Sequence, residues 1–422
     1  MRKSFNEHGR KRPSNEVQVR IDKLVYGGDG LGRLDGKVIF VPFSAPGDTL
    51  AVRILESRKG FARGEIREII RPGSSRRVPG CRYFGVCGGC DWQHIEYSEQ
   101  VEAKRGMLEE IFRHRFPETR RIEIGIRPCP AEYGYRSRAR IQVRRSAAGL
   151  TLGFYRMRSH KVEQIEVCPL LRPSLNGALA ALREWFEKNP PPAEVREIEI
   201  AASEDTQRWA CSTPGDSGEY RLGCVHPAGE ADRLLNRKIQ GYTYSVSPSA
   251  FFQVNDFMVS ELVSCVMSLV QEAGPESALD LYGGVGLFSL PLARHTREVV
   301  VVESNPIAAS LCRANAATAG LTNVSVIQED AVEWLSSTAS PAASDTDLIL
   351  LDPPRTGAGQ AMMDRIPETG ARTVIYVSCD PQTLVRDLVA LCRHGYRTDF
   401  VEGLDLFPQT YHFETVVRLR RG

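Results

Sequence analysis

No apolar run in this 422-residue chain reaches the ~20 residues that a membrane-spanning helix needs, and its charged start, Met1-Arg-Lys-Ser, leads into no signal-peptide core. Neither a bilayer partner nor export is expected. Long repeats are also missing, so a few separate cores are expected rather than an array. The eleven cysteines show only one clustered spacing, which argues against a disulfide framework and for a reducing cytoplasm. The net charge is only +2, but the balance is uneven. Residues 1–170 carry 33 Lys and Arg against 20 Asp and Glu, leaving 21 against 32 in the remainder. A positive field concentrated at the front is a cue for a polyanionic partner.

The C-terminal half has apolar runs that end in polar groups. They are Ala278-Leu-Asp280-Leu-Tyr282-Gly-Gly-Val-Gly286, Val299-Val-Val-Val-Glu303, Val324 to Asp330, Leu348-Ile-Leu-Leu-Asp352-Pro-Pro-Arg355 and Thr373 to Ser378-Cys379. Helix-like segments separate them, so the expected fold is α/β, with a doubly wound, mainly parallel sheet whose strand ends share one crevice. Cys379, at the end of a buried strand, is a candidate nucleophile. Glu414 opens the last strand; if that strand is antiparallel, it begins on the same edge.

The glycine turn lacks the third glycine of a dinucleotide fingerprint, so no pyrophosphate is expected there. Glu303, about 20 residues on, suits ribose hydroxyls and Asp330 an adenine amino group. Together these point to S-adenosylmethionine. The two prolines after Asp352 fix its loop. Arg355 stands where amine methylases often carry an aromatic, which favours methylation of carbon.

The segments Phe251-Phe-Gln253-Val-Asn255, Asp280 to Gly286, Asp352-Pro-Pro-Arg355, Ser378-Cys379-Asp-Pro381 and His412-Phe-Glu414-Thr resemble the RNA uracil-5-methyltransferases, especially the large-subunit (23S) ribosomal RNA branch, over nearly the whole chain. The resemblance implies that Cys379 adds to carbon 6 of uracil and that Glu414 is the general base removing the carbon 5 proton. Gln253, Tyr282, Glu303, Asp330 and Asp352 would bind the cofactor. Leu287 and Gly283 stand where relatives often have asparagine and cysteine, so neither joins this set. A stacked uracil cannot present both faces of its ring, so a flipped uridine is expected. The same reaction on transfer RNA, or an iron-sulfur RNA-modifying enzyme of another type, are the alternatives. The latter normally shows a Cys-x-x-x-Cys-x-x-Cys triplet, which this chain lacks.

Upstream, Cys81-Arg-Tyr-Phe-Gly-Val-Cys87-Gly-Gly-Cys90 packs three cysteines into ten residues. The spacing suits an iron-sulfur cluster or zinc equally, with Cys168, followed by Pro169, as fourth ligand and His94 as an outsider. The family resemblance favours a [4Fe-4S] cluster.

Three domains are expected behind a basic, disordered tail over 1–14: a small OB-like β-barrel over 15–73 resembling the TRAM RNA-binding module, a central α/β cluster-bearing domain over 74–245, and the Rossmann-like methyltransferase domain over 246–422. The barrel strands are read at Val17–Ile21, Lys37–Val41, Thr49–Ile54 and Gly64–Ile70, with Gly27 to Arg33 as a turn. Tyr133 to Arg145 interleaves arginines with aromatics on an alternating pattern suited to phosphate contact and base stacking. A monomer is expected.

Overall fold

The structure, a computed structural model, describes residues 16–146, 149–191, 193, 195–203, 209–212, 234–337 and 346–422; the basic tail expected over 1–14 lies outside them. Strands β1 (Glu16–Leu24), β2 (Gly30–Leu34), β3 (Lys37–Val41), β4 (Thr49–Ser57) and β5 (Phe61–Arg71) close into a barrel in the order β1-β2-β3-β5-β4. Its alternating positions, among them Val19, Ile21, Ile39, Val41 and Val52, fill the interior. β2 arises from the glycine run expected to be a turn. A Cβ on Gly30 would lie 2.1 Å from Ser44 Oγ, and one on Gly32 2.3 Å from the Arg20 carbonyl oxygen. The strand therefore fits its neighbours only because Gly30 and Gly32 carry no side chain.

Two elements inside the segment expected to form a central unit pack elsewhere. Helix α1 (Tyr97–Arg115) and strand β6 (Gly125–Arg127) join the C-terminal sheet: Leu108, Phe112, Phe116 and Ile124 share a core with Ile349, Tyr376 and Val417. The central sheet proper has the order β11-β10-β7-β8-β9, from β7 (Arg138–Ser146), β8 (Gly149–Tyr155), β9 (Val162–Gln164), β10 (Glu197–Ala202) and β11 (Trp209–Ser212). Helix α2 (Pro173–Lys188) covers it through Leu175, Leu179, Leu182 and Phe186, an i, i+4, i+7 stripe. A hairpin of β12 (Leu235–Ile239) and β13 (Tyr242–Val246) leads into the last unit.

That unit comprises α3 (Val259–Ala273), β14 (Ser277–Leu281), α4 (Ser289–Leu292), β15 (Glu298–Val302), α5 (Pro306–Thr318), β16 (Val324–Ile327), α6 (Ala331–Ser336), β17 (Leu348–Leu351), α7 (Gly359–Arg365), β18 (Thr373–Ser378), α8 (Pro381–Cys392), β19 (Tyr396–Leu404) and β20 (Glu414–Arg421). The sheet order is β16-β15-β14-β17-β18-β20-β19-β6. β14 to β18 are parallel, and β20 runs antiparallel to both its neighbours. Every residue of β17 and β18 is buried, as befits central strands covered on both faces.

Candidate active site

Four parallel strands stop one residue short of a group singled out from sequence: β14 before Tyr282, β15 before Glu303, β17 before Asp352 and β18 before Cys379. Asp330 follows the end of β16 by three residues, and β20 begins at Glu414. Because β20 is antiparallel, its start lies beside the ends of the others. Ser378 pairs with Thr415, so the next rung of the same register sets Cys379 against Glu414. Residues so opposed in an antiparallel pair share a sheet face, with Cβ atoms about 4.5–5.5 Å apart.

The glycine turn after β14 is left-handed at Tyr282 (φ 67°), Gly284 (φ 57°) and Gly286 (φ 92°). A Cβ on Gly283 would come within 2.3 Å of Val301. Glu303 braces this turn: one carboxylate oxygen accepts from Gly284 N at 2.9 Å and the other from Asn305 N at 2.7 Å. Each oxygen keeps a lone pair for a further donor. Asp330 caps α6 with Oδ1, which accepts from Val332 N and Glu333 N. Leu287 is buried in the apolar core. Gln253 is buried in a segment that Arg138 pins through the Pro248 and Ala250 carbonyls; among the described residues no hydrogen bond joins it to the strand-end cluster.

The loop Asp352-Pro-Pro-Arg355 is latched to α8. Thr383 Oγ1 donates to the Arg355 carbonyl at 3.1 Å, and Arg386 donates to the Thr356 carbonyl at 2.8 Å. Asp387 accepts from Ala358 N at 2.9 Å and from the Tyr376 hydroxyl at 2.7 Å. The loop before Glu414 is strapped to α1. Lys104 Nζ and Asp405 Oδ1 form a fully buried pair at 2.6 Å. Gln100 and Gln409 exchange hydrogen bonds, Nε2 to Oε1 at 3.0 Å and Gln409 N to Gln100 Oε1 at 2.9 Å.

Electrostatically the site is short of cations. Burial, then the charges of Glu414, Asp352 and Asp380, push the Cys379 thiol up to about 12, with Arg355 opposing. Burial and the neighbouring Asp352 hold the Glu414 carboxyl well above its ordinary range. Burial and Asp280 lift Asp352 to about 7. Asp280, which accepts from the Ser289 hydroxyl, is lifted to about 7 by burial and by Glu303. A row of carboxyls that holds protons for want of a countercharge is complementary to a cationic ligand. Asp280 and Arg355 were not among the site residues chosen from sequence. An aspartate inside the apolar run Ala278 to Leu281 was the available signal, since a buried carboxylate is costly without a purpose.

Cys81, Cys87, Cys90 and Cys168 line one cavity of about 550 Å³ with Phe84, Tyr155 and Leu170. Burial pushes Cys87 up to about 11 and raises Cys90 and Cys168, and each is raised further by the other sulfurs. His94 is not in the lining; burial takes it down to about 4, and its Nε2 lies 3.2 Å from the Ser44 carbonyl oxygen. Among the described residues no three His, Cys, Asp or Glu groups converge closely enough to hold one metal ion.

The stretch expected to contact RNA is more structural than its pattern implied. Tyr135 is fully buried and donates to the Pro408 carbonyl at 3.0 Å, so its ring cannot stack on a base. Arg138 is buried on the carbonyls named above, and Arg140 pairs with Glu199 at 2.6 Å. Arg156 pairs with Glu163 at 2.6 Å. The alternation of β7 turns Ala139, Ile141 and Val143 inward, while Arg138 and Arg140 on its other face are tied to carbonyls and to a carboxylate of neighbouring segments.

A parallel sheet closed by one antiparallel strand, with a glycine turn after the first strand and an acid ending the second, defines an S-adenosylmethionine-dependent methyltransferase. The model of the tRNA (uracil-5-)-methyltransferases matches residues 230–422, and that of the TRAM domain matches residues 10–66. A 23S rRNA (uracil(1939)-C(5))-methyltransferase of Yersinia enterocolitica is 30% identical over 99% of this chain and 98% of its own length. An uncharacterized RNA methyltransferase of Thermosynechococcus vestitus is 30% identical over 96% of this chain and 97% of its own. Among solved structures, the tRNA (uracil-54, C5)-methyltransferase of Pyrococcus abyssi, in complex with S-adenosyl-L-homocysteine, has a TM-score of 0.71 at 25% identity, covering 96% of this chain and all of that one. The chain belongs to the RNA uracil-5-methyltransferase family: it is an S-adenosylmethionine-dependent enzyme that methylates uracil carbon 5 in RNA.

Proposed function

We propose that the substrate is a uridine of 23S ribosomal RNA and that methylation passes through a covalent adduct of Cys379. The observation that carries the mechanism is the rung that opposes Cys379 to Glu414 at the carboxyl edge of the sheet. Uracil carbon 5 is a poor nucleophile. Thiolate addition at carbon 6 makes an enolate, whose carbon 5 takes the methyl group while the sulfonium leaves as neutral thioether. Carbon 5 then carries both methyl and hydrogen. Glu414 removes that proton, and elimination of the thiolate restores the double bond. Thiol and base must face the same ring, a reading supported by the β18–β20 register continued one residue past Ser378 and Thr415.

The thiol and carboxyl are both held neutral by burial, so neither is ready in the empty site. When bound, the sulfonium of S-adenosylmethionine would supply positive charge to this acidic site and so favour the ionised forms of Glu414 and Cys379. Tyr282, Glu303 and Asp330 hold its adenosine, and Gln253 contacts cofactor or uracil. The two faces of the ring are free together only in a flipped base.

The ribosomal assignment rests on relatives of that name aligned over almost the full chain at 30% identity. Transfer RNA is the second reading, favoured by the Pyrococcus abyssi likeness. Mass mapping of modified uridines in both RNAs after deletion of the gene decides: one missing 5-methyluridine in 23S rRNA is expected, and loss confined to tRNA would reverse the assignment.

The cysteine cavity is proposed to hold a [4Fe-4S] cluster on Cys81, Cys87, Cys90 and Cys168. A single zinc ion needs four thiolates about 2.3 Å from one point. A cubane cluster spreads its ligands around a larger body, which suits a cavity of about 550 Å³ with sulfurs raised by one another. When bound it would supply a cross-link between the Cys81–Cys90 turn and the Cys168 loop that leads into α2, in a reducing cytoplasm.

A further inference from the structure

The β1–β2 turn of the barrel reaches the catalytic centre itself. Tyr26, on that turn, donates its hydroxyl to Asp380 Oδ2 at 3.0 Å, while Asp380 Oδ1 accepts from Gln382 N and Thr383 N and so caps α8 directly behind Cys379. The Tyr26 ring stands edge-on to Tyr411 at 5.2 Å and to Phe413 at 6.4 Å between centroids, and Tyr411 lies against His412 at 4.1 Å. These aromatics flank the start of β20. The turn has no slack: a Cβ on Gly28 would sit 3.1 Å from Tyr411 and 3.2 Å from Asp91, and Trp92 Nε1 donates to the Gly28 carbonyl at 3.0 Å. One tyrosine thus touches both sequence-distant segments that deliver the proposed nucleophile and base.

We infer that Tyr26 is a positioning residue of the methyl-transfer centre, fixing Asp380 and through it the Cys379 backbone and thiol, so that the barrel completes the active site as well as binding RNA. This rests on the Cys379 mechanism proposed above. The hydroxyl holds Asp380 Oδ2 while Oδ1 caps the helix, and it takes up part of the carboxylate's charge. Without it the full charge of Asp380 bears on a thiol already faced by Glu414, Asp352 and Asp380 and opposed by Arg355 alone. Burial beside Asp380 keeps the phenol protonated and hence a donor.

The test is Tyr26→Phe in the full chain, which keeps both ring contacts and removes only the hydroxyl. Two quantities are read: the rate of adduct formation on saturating 5-fluorouridine RNA, and the pH profile of Cys379 alkylation by iodoacetamide, located by peptide mass. The expected result is an adduct rate about tenfold lower, RNA affinity within twofold of the unaltered protein, and an alkylation midpoint moved to higher pH. A Tyr26→Phe protein with native adduct rate and native alkylation profile overturns the inference, as does one whose only defect is RNA affinity. Were the unaltered protein to alkylate at Cys379 yet form no uracil adduct, the covalent mechanism would fall, while the alkylation profile would still decide for or against Tyr26.

Discussion

Cys379 stands across the β18–β20 ladder from Glu414, one rung beyond the Ser378–Thr415 pair. The proposed nucleophile and base, thirty-five positions apart in sequence, are thereby brought to one edge of the sheet by the register of two neighbouring strands. The arrangement separates two steps that substitution can resolve, ring addition at one residue and proton removal at the other.

Glu414→Gln keeps the shape and removes a charge that burial already disfavours, so the protein should fold. Methyl transfer to the adduct should proceed, but carbon 5 cannot lose its proton. Turnover is expected to fall by about 10²-fold or more, with methylated RNA remaining bound to the protein on a denaturing gel. Free methylated RNA released at the native rate would remove Glu414 from the base role.

The raised thiol makes the reaction depend on pH and on the cofactor's charge. Cys379 is held near 12, so its thiolate fraction at neutrality is small and grows as pH rises. The sulfonium of S-adenosylmethionine should lower that value, whereas S-adenosylhomocysteine carries no such charge. A shift of one unit corresponds to about 1.4 kcal/mol, so Cys379 alkylation at pH 7 should be roughly tenfold faster with the sulfonium bound. Equal rates with the two ligands would contradict the electrostatic account.

Asp280 gives a stability signature. Its folded value of about 7 lies above the ordinary 3.8, so the native state holds a proton that the unfolded chain releases. Its favourable contribution is complete below about pH 4 and is lost as pH rises through 7. Asp280→Asn keeps an acceptor for Ser289 and cannot ionise. It should match the unaltered protein in stability near pH 4 and exceed it by about 2–4 kcal/mol at pH 8, read by denaturant midpoints at both pH values. Equal midpoints at pH 8 would show that Asp280 is ionised there without cost.

Removing Lys104 leaves Asp405 buried without its countercharge. Lys104→Met should destabilise the fold by about 3–5 kcal/mol and loosen the strap that delivers Glu414, so the variant should lose thermal stability and turnover together.

The cysteine cavity is checked by composition. Anaerobically purified protein should contain about four iron and four sulfide per chain, and Cys168→Ala should lose most of both. One zinc per chain and no sulfide would replace the cluster with a single-ion site.

Much of the catalytic edge was legible because β-strand burial and strand-end chemistry both write themselves into sequence. Four of the expected groups sit one residue beyond their strands, and the antiparallel last strand brought Glu414 to them. What failed to show depended on distant partners. β2 reads as a glycine turn until Ser44 and the Arg20 carbonyl are seen pressing on it. Tyr135 and Arg138 carry the pattern of an RNA-facing strand, yet their partners, the Pro408, Pro248 and Ala250 carbonyls, lie more than a hundred residues away. α1 and β6 likewise join a sheet whose other strands begin at residue 277. Tyr26, whose partner Asp380 lies more than three hundred residues away, had no local signal.

The most direct measurement is mass mapping of the covalent complex formed with S-adenosylmethionine and a 5-fluorouridine RNA, where fluorine blocks the final proton removal. The account predicts one cross-linked peptide containing Cys379, carrying a methylated fluorouridine, and no such peptide from Cys379→Ala. A cross-link at another residue, or a Cys379→Ala protein that methylates uridine at the native rate, would contradict it.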